Sequence, residues 1–229
     1  MNSNANVLGI LTLGQSPRDD VIPSFQELLP PGTTIREAGA LDGLSQEQID
    51  ALAPDSADSG IETRLAGGSG VMVDKKRLTP LLIHQALKLQ DQCNHIILLC
   101  SGEFDQLRSA CSAIIEPIIL LRGIIHGLAG AKILGIIGPA SDLALAPAQW
   151  QPYARRVVCG AASPYGETGA IIRAGESVTK QGAEIILLDD MGFTEKHRLA
   201  VQKNNQVPVV CATTMCARVL TEVMCHANG

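Results

Sequence analysis

Two α/β halves, each a parallel sheet covered by helices, are the fold that three features of the sequence predict. Short aliphatic runs alternate with longer stretches in which apolar residues recur at intervals of three and four. Two of the runs occur twice: "HIILLCSGEF" (95 to 104) is echoed by "EIILLDDMGF" (184 to 193), and "LGILTLGQS" near the start by "LGIIGPASD" in the middle. The interior is aliphatic, since hydrophobic residues make up 46% of the chain and aromatics only 3%. Strands buried on both faces by covering helices have this composition.

Taken in order, the first run, "NVLGILTLG" (6 to 14), leads into the loop "GQSPRDD". Ser16 there reads as an N-cap, Pro17 as a first helical residue, and Asp19 and Asp20 as first-turn carboxylates. "GSGVMVD" (68 to 74) reads as the next buried strand, followed by the helical pattern "PLLIHQALKLQDQ". "HIILLC" (95 to 100) ends at Cys100, and "EFDQLRSACSAI" opens a helix just after it. The second half repeats the alternation with strands "AKILGIIGP" (131 to 139), "RRVVCGA" (155 to 161) and "AEIILLDD" (183 to 190). Its helices are "AIIRAGESVTKQG" and "TEKHRLAVQKN", the latter with Thr194 as N-cap. The last strand, "VPVVCA" (207 to 212), is expected to return to the first half. The domains expected are therefore residues 1 to 115 with 207 to 229, and residues 116 to 206.

Composition removes several function classes. The net charge is -5, and the short basic run "DKKR" (74 to 77) has no aromatic residues interleaved with it, so nucleic acid is not an expected partner. The longest aliphatic run, from Ile114 to Leu121, already contains Glu116 and Pro117, which is not a membrane span. The start "MNSNANVLGILTLG" lacks the basic opening and cleavage site of a signal peptide, so a cytoplasmic protein is expected. Seven cysteines without a CxxC pair argue against both a disulfide framework and a zinc site. Neither GxGxxG nor GxxxxGK[ST] occurs, so no nucleotide and no other cofactor is expected.

In open parallel sheets, ligands bind at the carboxyl ends of strands where the topology switches. Four loops are so placed: "GQSPRDD", "CSGEF", "GPASD" and "DDMGF", expected to surround one cleft. Cys100, at a strand end before a helix opening, is the cysteine best placed for reactivity; ordinary burial is the reading for the other six. Asp189 and Asp190 are adjacent, so an extended backbone turns them to opposite faces and only one can enter a shared site. Gln15, Ser16 and Arg18 are expected to orient a carboxylate or phosphate, Arg18 through its planar fork. Phe193 follows Gly192 in the second loop and joins the candidate ligand contacts. His197 is a second-tier candidate, with a capping or surface role weighed above a functional one.

The chain resembles the AroM family over nearly its whole length, in "LTLGQSPRDDVIP", "EAGALDGLS", "LLCSGEF", "GPASDLALAPAQW" and "LLDDMGFTEKHR". That family in turn resembles the aspartate/glutamate racemase superfamily, which implies two pseudo-symmetric α/β domains. The superfamily places one cysteine at a strand end in each domain, on opposite faces of the α-carbon of a small carboxylate. Cys100 matches the first position. The second holds no cysteine here, and Asp190 is the closest match. The resemblance implies a cofactor-independent racemase, isomerase or lyase, with Ser101 and the amides around Gly102 and Gly192 holding a carboxylate or enolate oxygen. A thiol and a carboxyl differ in unperturbed pKa, about 8.5 against about 4, so such a pair is asymmetric and suits one-direction proton transfer. Burial beside Asp189 is one way to raise Asp190 toward neutrality. The alternative is a non-catalytic anion-binding or regulatory protein. A homodimer is the assembly considered.

Overall fold

The computed structural model describes residues 6 to 56 and 59 to 224. It divides into two compact units, one holding the chain up to Asp19 and Pro30–Pro117, the other Asp20–Leu29 and the chain from Ile118 onward. Each contains its own four-stranded parallel sheet.

The first sheet is built from β1 (Val7–Thr12), β2 (Thr34–Gly39), β5 (His95–Leu99) and β6 (Ile114–Ile115), in the order β2-β1-β5-β6. The second is built from β7 (Ile133–Gly138), β8 (Arg156–Ala161), β9 (Ile185–Leu188) and β10 (Val209–Cys211), in the order β10-β9-β7-β8. Read from the first strand of each, the two orders are the same. The opening strand is central, the second lies on one side of it, and the third and fourth lie on the other. Both sequence echoes fall on equivalent strands, β1 with β7 and β5 with β9. These central strands are buried nearly throughout because helices cover the sheets.

Helices α2 (Gln46–Asp50), α3 (Lys75–Gln90) and α4 (Asp105–Ala110) belong to the first unit. Asp74 caps α3 by accepting from the backbone N–H groups of Lys76 and Arg77 at 2.9 and 3.0 Å. The second unit contains α1 (Ile22–Gln26), α5 (Pro117–Ala129), α6 (Ala146–Trp150), α7 (Thr168–Lys180), α8 (Glu195–Asn204) and α9 (Ala212–Met224). Among the described residues no helix is long and apolar enough to cross a membrane.

Three expectations are corrected. Residues 207 to 229 were expected in the first domain, but β10 pairs in parallel with β9, Val209 opposite Ile186 and Cys211 opposite Leu188. The strand and the described residues after it therefore belong to the second unit. The segment that joins from the other half is Asp20–Leu29: its α1 packs on α9, and the Thr221 hydroxyl donates to the Leu28 carbonyl at 2.7 Å. "GSGVMVD" does form a strand, but it belongs to neither parallel sheet. Its β4 (Gly70–Asp74) forms an antiparallel hairpin with β3 (Gly60–Arg64), and Met72 is exposed. Finally, no helix starts at Pro17, since the first begins at Ile22.

The hairpin docks against the loop after β1. Gln15 N–H donates to the Arg64 carbonyl at 3.0 Å. A Cβ on Gly14 would stand 1.8 Å from the same oxygen, so only glycine admits this approach. Gly14→Ala is expected to lose stability at the upper end of about 1–3 kcal/mol, because a backbone oxygen cannot rotate aside. Urea denaturation of the variant measures it; an unchanged midpoint would contradict this packing.

Candidate functional site

In an open parallel sheet, the crevice forms where neighbouring strands send their connections to opposite faces. In each unit this point lies between the opening strand and its echo partner, β1 with β5 and β7 with β9. The loops "GQSPRDD", "CSGEF", "GPASD" and "DDMGF" leave the carboxyl ends of these strands.

In the first unit, Cys100 follows β5 directly and is half-buried. Its sulfur accepts the Gly102 N–H at 3.2 Å. Gly102 lies so close that an added Cβ would come within 3.4 Å of that sulfur. The donor reaching the thiol is thus a loop amide. The helix α4 opens only at Asp105, with Phe104 as N-cap, which replaces the helix opening expected beside Cys100. The loop is anchored at Phe104, which is 2% exposed and whose N–H donates to the Glu116 carboxylate at 2.8 Å. Arg108 donates to the other oxygen of that buried carboxylate at 2.8 Å, so Glu116 is satisfied on both sides.

The residues expected to orient a ligand have structural partners. The Ser16 hydroxyl donates to Asp42 at 2.7 Å, and the same carboxylate accepts the N–H groups of Ser16 and Gly39. The Gln15 side chain accepts from Ala66 N–H at 3.0 Å and tethers the hairpin. Arg18 is 8% exposed, with Nη1 donating to the Thr12 hydroxyl at 3.0 Å and its own N–H donating to Glu37 at 2.7 Å. Gln15 and Ser16 hold the loop's shape, which their residue types alone did not distinguish from ligand contacts.

In the second unit the adjacent aspartates have different surroundings. Asp190 is half-buried, and its Oδ1 accepts the Gly192 N–H at 2.6 Å. This repeats the Cys100 arrangement: a side chain after a central strand accepts the amide of a glycine two residues on. Asp190 is therefore the local counterpart of Cys100, with Asp189 interposed after the strand. Asp189 itself is buried. Its Oδ2 accepts the Trp150 indole N–H at 2.7 Å, and its Oδ1 has no hydrogen-bond partner among the described residues. Burial pushes its carboxyl up to about 7, and the negative charges of Asp190 and Asp142 add to this, while the Trp150 hydrogen bond and Arg122 oppose it. The buried carboxyl of the pair is thus Asp189, where burial of Asp190 had been considered.

Phe193 is fully buried among Ile137, Leu188, Val201 and Cys211, so it supports the loop from the core instead of meeting a ligand. His197 sits in the first turn of α8, where Nδ1 accepts the Thr194 N–H at 3.2 Å, and burial followed by the Lys196 charge pushes its pKa down. It caps the helix. The Met191 carbonyl accepts the Thr213 hydroxyl at 2.8 Å, which ties the loop to the start of α9.

Tyr165 and Trp150 were not singled out from the sequence. An added Cβ on Gly192 would come 2.6 Å from the Tyr165 hydroxyl, so that ring covers the Gly192 turn. The usable signal was scarcity: a chain with one Trp and two Tyr places all three on the connections after β7 and β8.

The thiols differ in access. Cys111, Cys211 and Cys216 are 0 to 1% exposed and Cys93 is 5%, whereas Cys100 and Cys159 are half-buried. Burial raises the pKa of Cys93, Cys111, Cys159, Cys211 and Cys216, the last two to about 11 and about 12. Brief labelling at neutral pH followed by peptide mapping is expected to modify Cys100 first among these six. Labelling of Cys159 ahead of Cys100 would contradict this; Cys225 lies outside the described residues.

Among curated proteins none matches the chain. The family model described as AroM protein matches residues 8–224. Solved structures share the fold at low identity. Arylmalonate decarboxylase is 13% identical, with a TM-score of 0.59 over 97% of this chain and 94% of that one. Maleate isomerase of Pseudomonas putida is 13% identical, with a TM-score of 0.63 over 95% and 92%. Glutamate racemase of Francisella tularensis is 11% identical, with a TM-score of 0.59 over 98% and 85%.

Proposed function

We propose, from the premise that this chain belongs to the AroM family, that it is a cofactor-independent racemase, isomerase or lyase acting on a small carboxylate. Cys100 and Asp190 are its proton-transfer groups. One observation carries this reading: the two side chains follow equivalent central strands of the two sheets, Cys100 directly and Asp190 one residue later, and each accepts the amide of a glycine two residues on. Two unlike residues held in the same kind of turn after equivalent strands support the reading of a paired role. The fold's occurrence in a decarboxylase, an isomerase and a racemase supports the reaction class by analogy.

The step asked of the pair is elementary. One group, as its anion, takes the proton from the carbon next to the substrate carboxylate, and the electron pair of the broken C–H bond moves into an enolate. The other group, protonated, returns a proton to that carbon; in a lyase, loss of carbon dioxide replaces the first transfer. The Gly102 and Gly192 amides place a donor against the atom that carries negative charge in the resting anion, and they fix the direction of each side chain. They are engaged with these side chains, so Ser101 remains the expected donor to the substrate carboxylate in the first loop.

The test is a panel of amino, hydroxy, unsaturated and malonate-type acids, with optical rotation, double-bond position and carbon dioxide release followed without added nucleotide or metal. Conversion of one class supports the proposal. Tight binding without conversion of any member would identify an anion-binding or regulatory protein instead.

A further inference from the structure

Two carboxyls in sequence at a strand end are an unusual concentration of charge, and the structure treats them oppositely. Asp190 has a backbone donor and partial exposure. Asp189 is enclosed, with the Trp150 indole on one oxygen and no partner among the described residues on the other. An ionised carboxylate in such a place keeps one oxygen desolvated and uncompensated, whereas a neutral acid avoids most of that cost.

Its neighbours push the same way. Asp142, from the loop after β7, and Asp190 beside it are negative. Cys159 of β8 is near enough that the charge of Asp189 raises its pKa. The opposing cation is Arg122 of α5, which also lies over the Tyr153 ring at 5.6 Å. Tyr153 meets Trp150 edge-on at 6.3 Å and His126 at 6.2 Å, so Tyr153 and His126 also belong to this cluster.

We propose that Asp189 is a positioning residue that holds a proton against Trp150 in mildly acidic solution, so that the adjacent pair there carries one charge, on Asp190. The proposal rests on the reading of Asp190 as a proton-transfer group. Its structural consequence is that the loop after β9 is fixed by the Asp189–Trp150 hydrogen bond, with the next residue held by the Gly192 amide. Two adjacent carboxyls are thereby divided into a held acid and a working base.

Trp150 is the only tryptophan, so the protein reports on its own hydrogen bond. In uniformly 15N-labelled protein without substrate, the single indole N–H cross-peak is expected to titrate with a midpoint near pH 7, following the carboxyl raised to about 7. Asp189→Asn should abolish that titration, Asp190→Asn should lower the midpoint by removing a like charge, and His126→Asn should leave the titration present. A flat trace between pH 5 and 9 in the wild type, a midpoint near pH 4, or a titration that survives Asp189→Asn would overturn the proposal. If Asp189→Asn does not fold, carboxyl 13C shifts of aspartate-labelled wild type give the same answer: one aspartate titrating near pH 7 supports it, and none contradicts it. The readout needs no substrate, so its failure is distinct from a failure to find turnover.

Discussion

Cys100→Ser is expected to reduce turnover of whichever small carboxylate the protein converts by roughly 10²–10⁴-fold, the usual contribution of a positioned acid–base group. A hydroxyl occupies nearly the same space and can accept the Gly102 amide, so the loop anchored by Phe104 and Glu116 should keep its form. What is lost is acidity, because the serine alkoxide is inaccessible near neutrality. The loss should fall on kcat more than on KM, since the group acts on the carbon and not on the carboxylate. Cys159→Ser serves as the control: burial raises the pKa of that thiol, and it should contribute little. Asp190→Asn should slow net conversion in both directions, because the group that returns the proton in one direction removes it in the other, while solvent exchange at the face served by Cys100 is spared. Equal turnover in wild type and Cys100→Ser would remove Cys100 from the mechanism.

Asp189→Asn is expected to alter how stability depends on pH by on the order of 4 kcal/mol. The wild-type carboxyl titrates near 3.9 when unfolded and is raised to about 7 when folded, and each unit corresponds to about 1.36 kcal/mol. Between these values the folded state binds the proton that the unfolded state has released, so stability falls as pH rises. The contribution is fully present below about pH 4 and is lost by about pH 7. Asparagine retains an oxygen for the Trp150 indole and does not titrate. Relative to wild type, the variant should therefore gain stability from about pH 4 to about pH 7 and level off above it. Urea denaturation of both proteins across that range cancels the contributions of all other groups. A difference independent of pH would show that Asp189 is not perturbed in the folded state.

The parts of the fold legible in the sequence are those that helices bury on both faces. Strands β1, β5, β7 and β9 read as aliphatic runs for that reason, and their echoes mark the equivalence of the two sheets. The strand Thr34–Gly39 was missed because it lies at a sheet edge, where Arg36 and Glu37 break the apolar run. The partner of "VPVVCA" was misassigned because a three-residue parallel strand carries no sign of which neighbour it joins. At the candidate site, the matching turns that hold Cys100 and Asp190 were legible through the echo. The separation of Asp189 from Asp190 by burial was not, because it depends on Trp150, 39 residues earlier in the chain. Phe193 looked like a loop residue, yet its ring fills the core beneath the loop. The polar residues of "GQSPRDD" were likewise ambiguous, because capping, loop-tying and ligand binding call for the same side chains.

The central claim is proton transfer at carbon, and the most direct measurement is solvent deuterium incorporation by the wild-type protein in deuterium oxide, followed by NMR of each candidate carboxylate. This readout registers proton removal and return even where no net product accumulates. The expected result is incorporation at the single carbon adjacent to the carboxylate in one class of acid, strongly diminished in Cys100→Ser. Tight binding of small carboxylates with no incorporation above background in any class would contradict the claim.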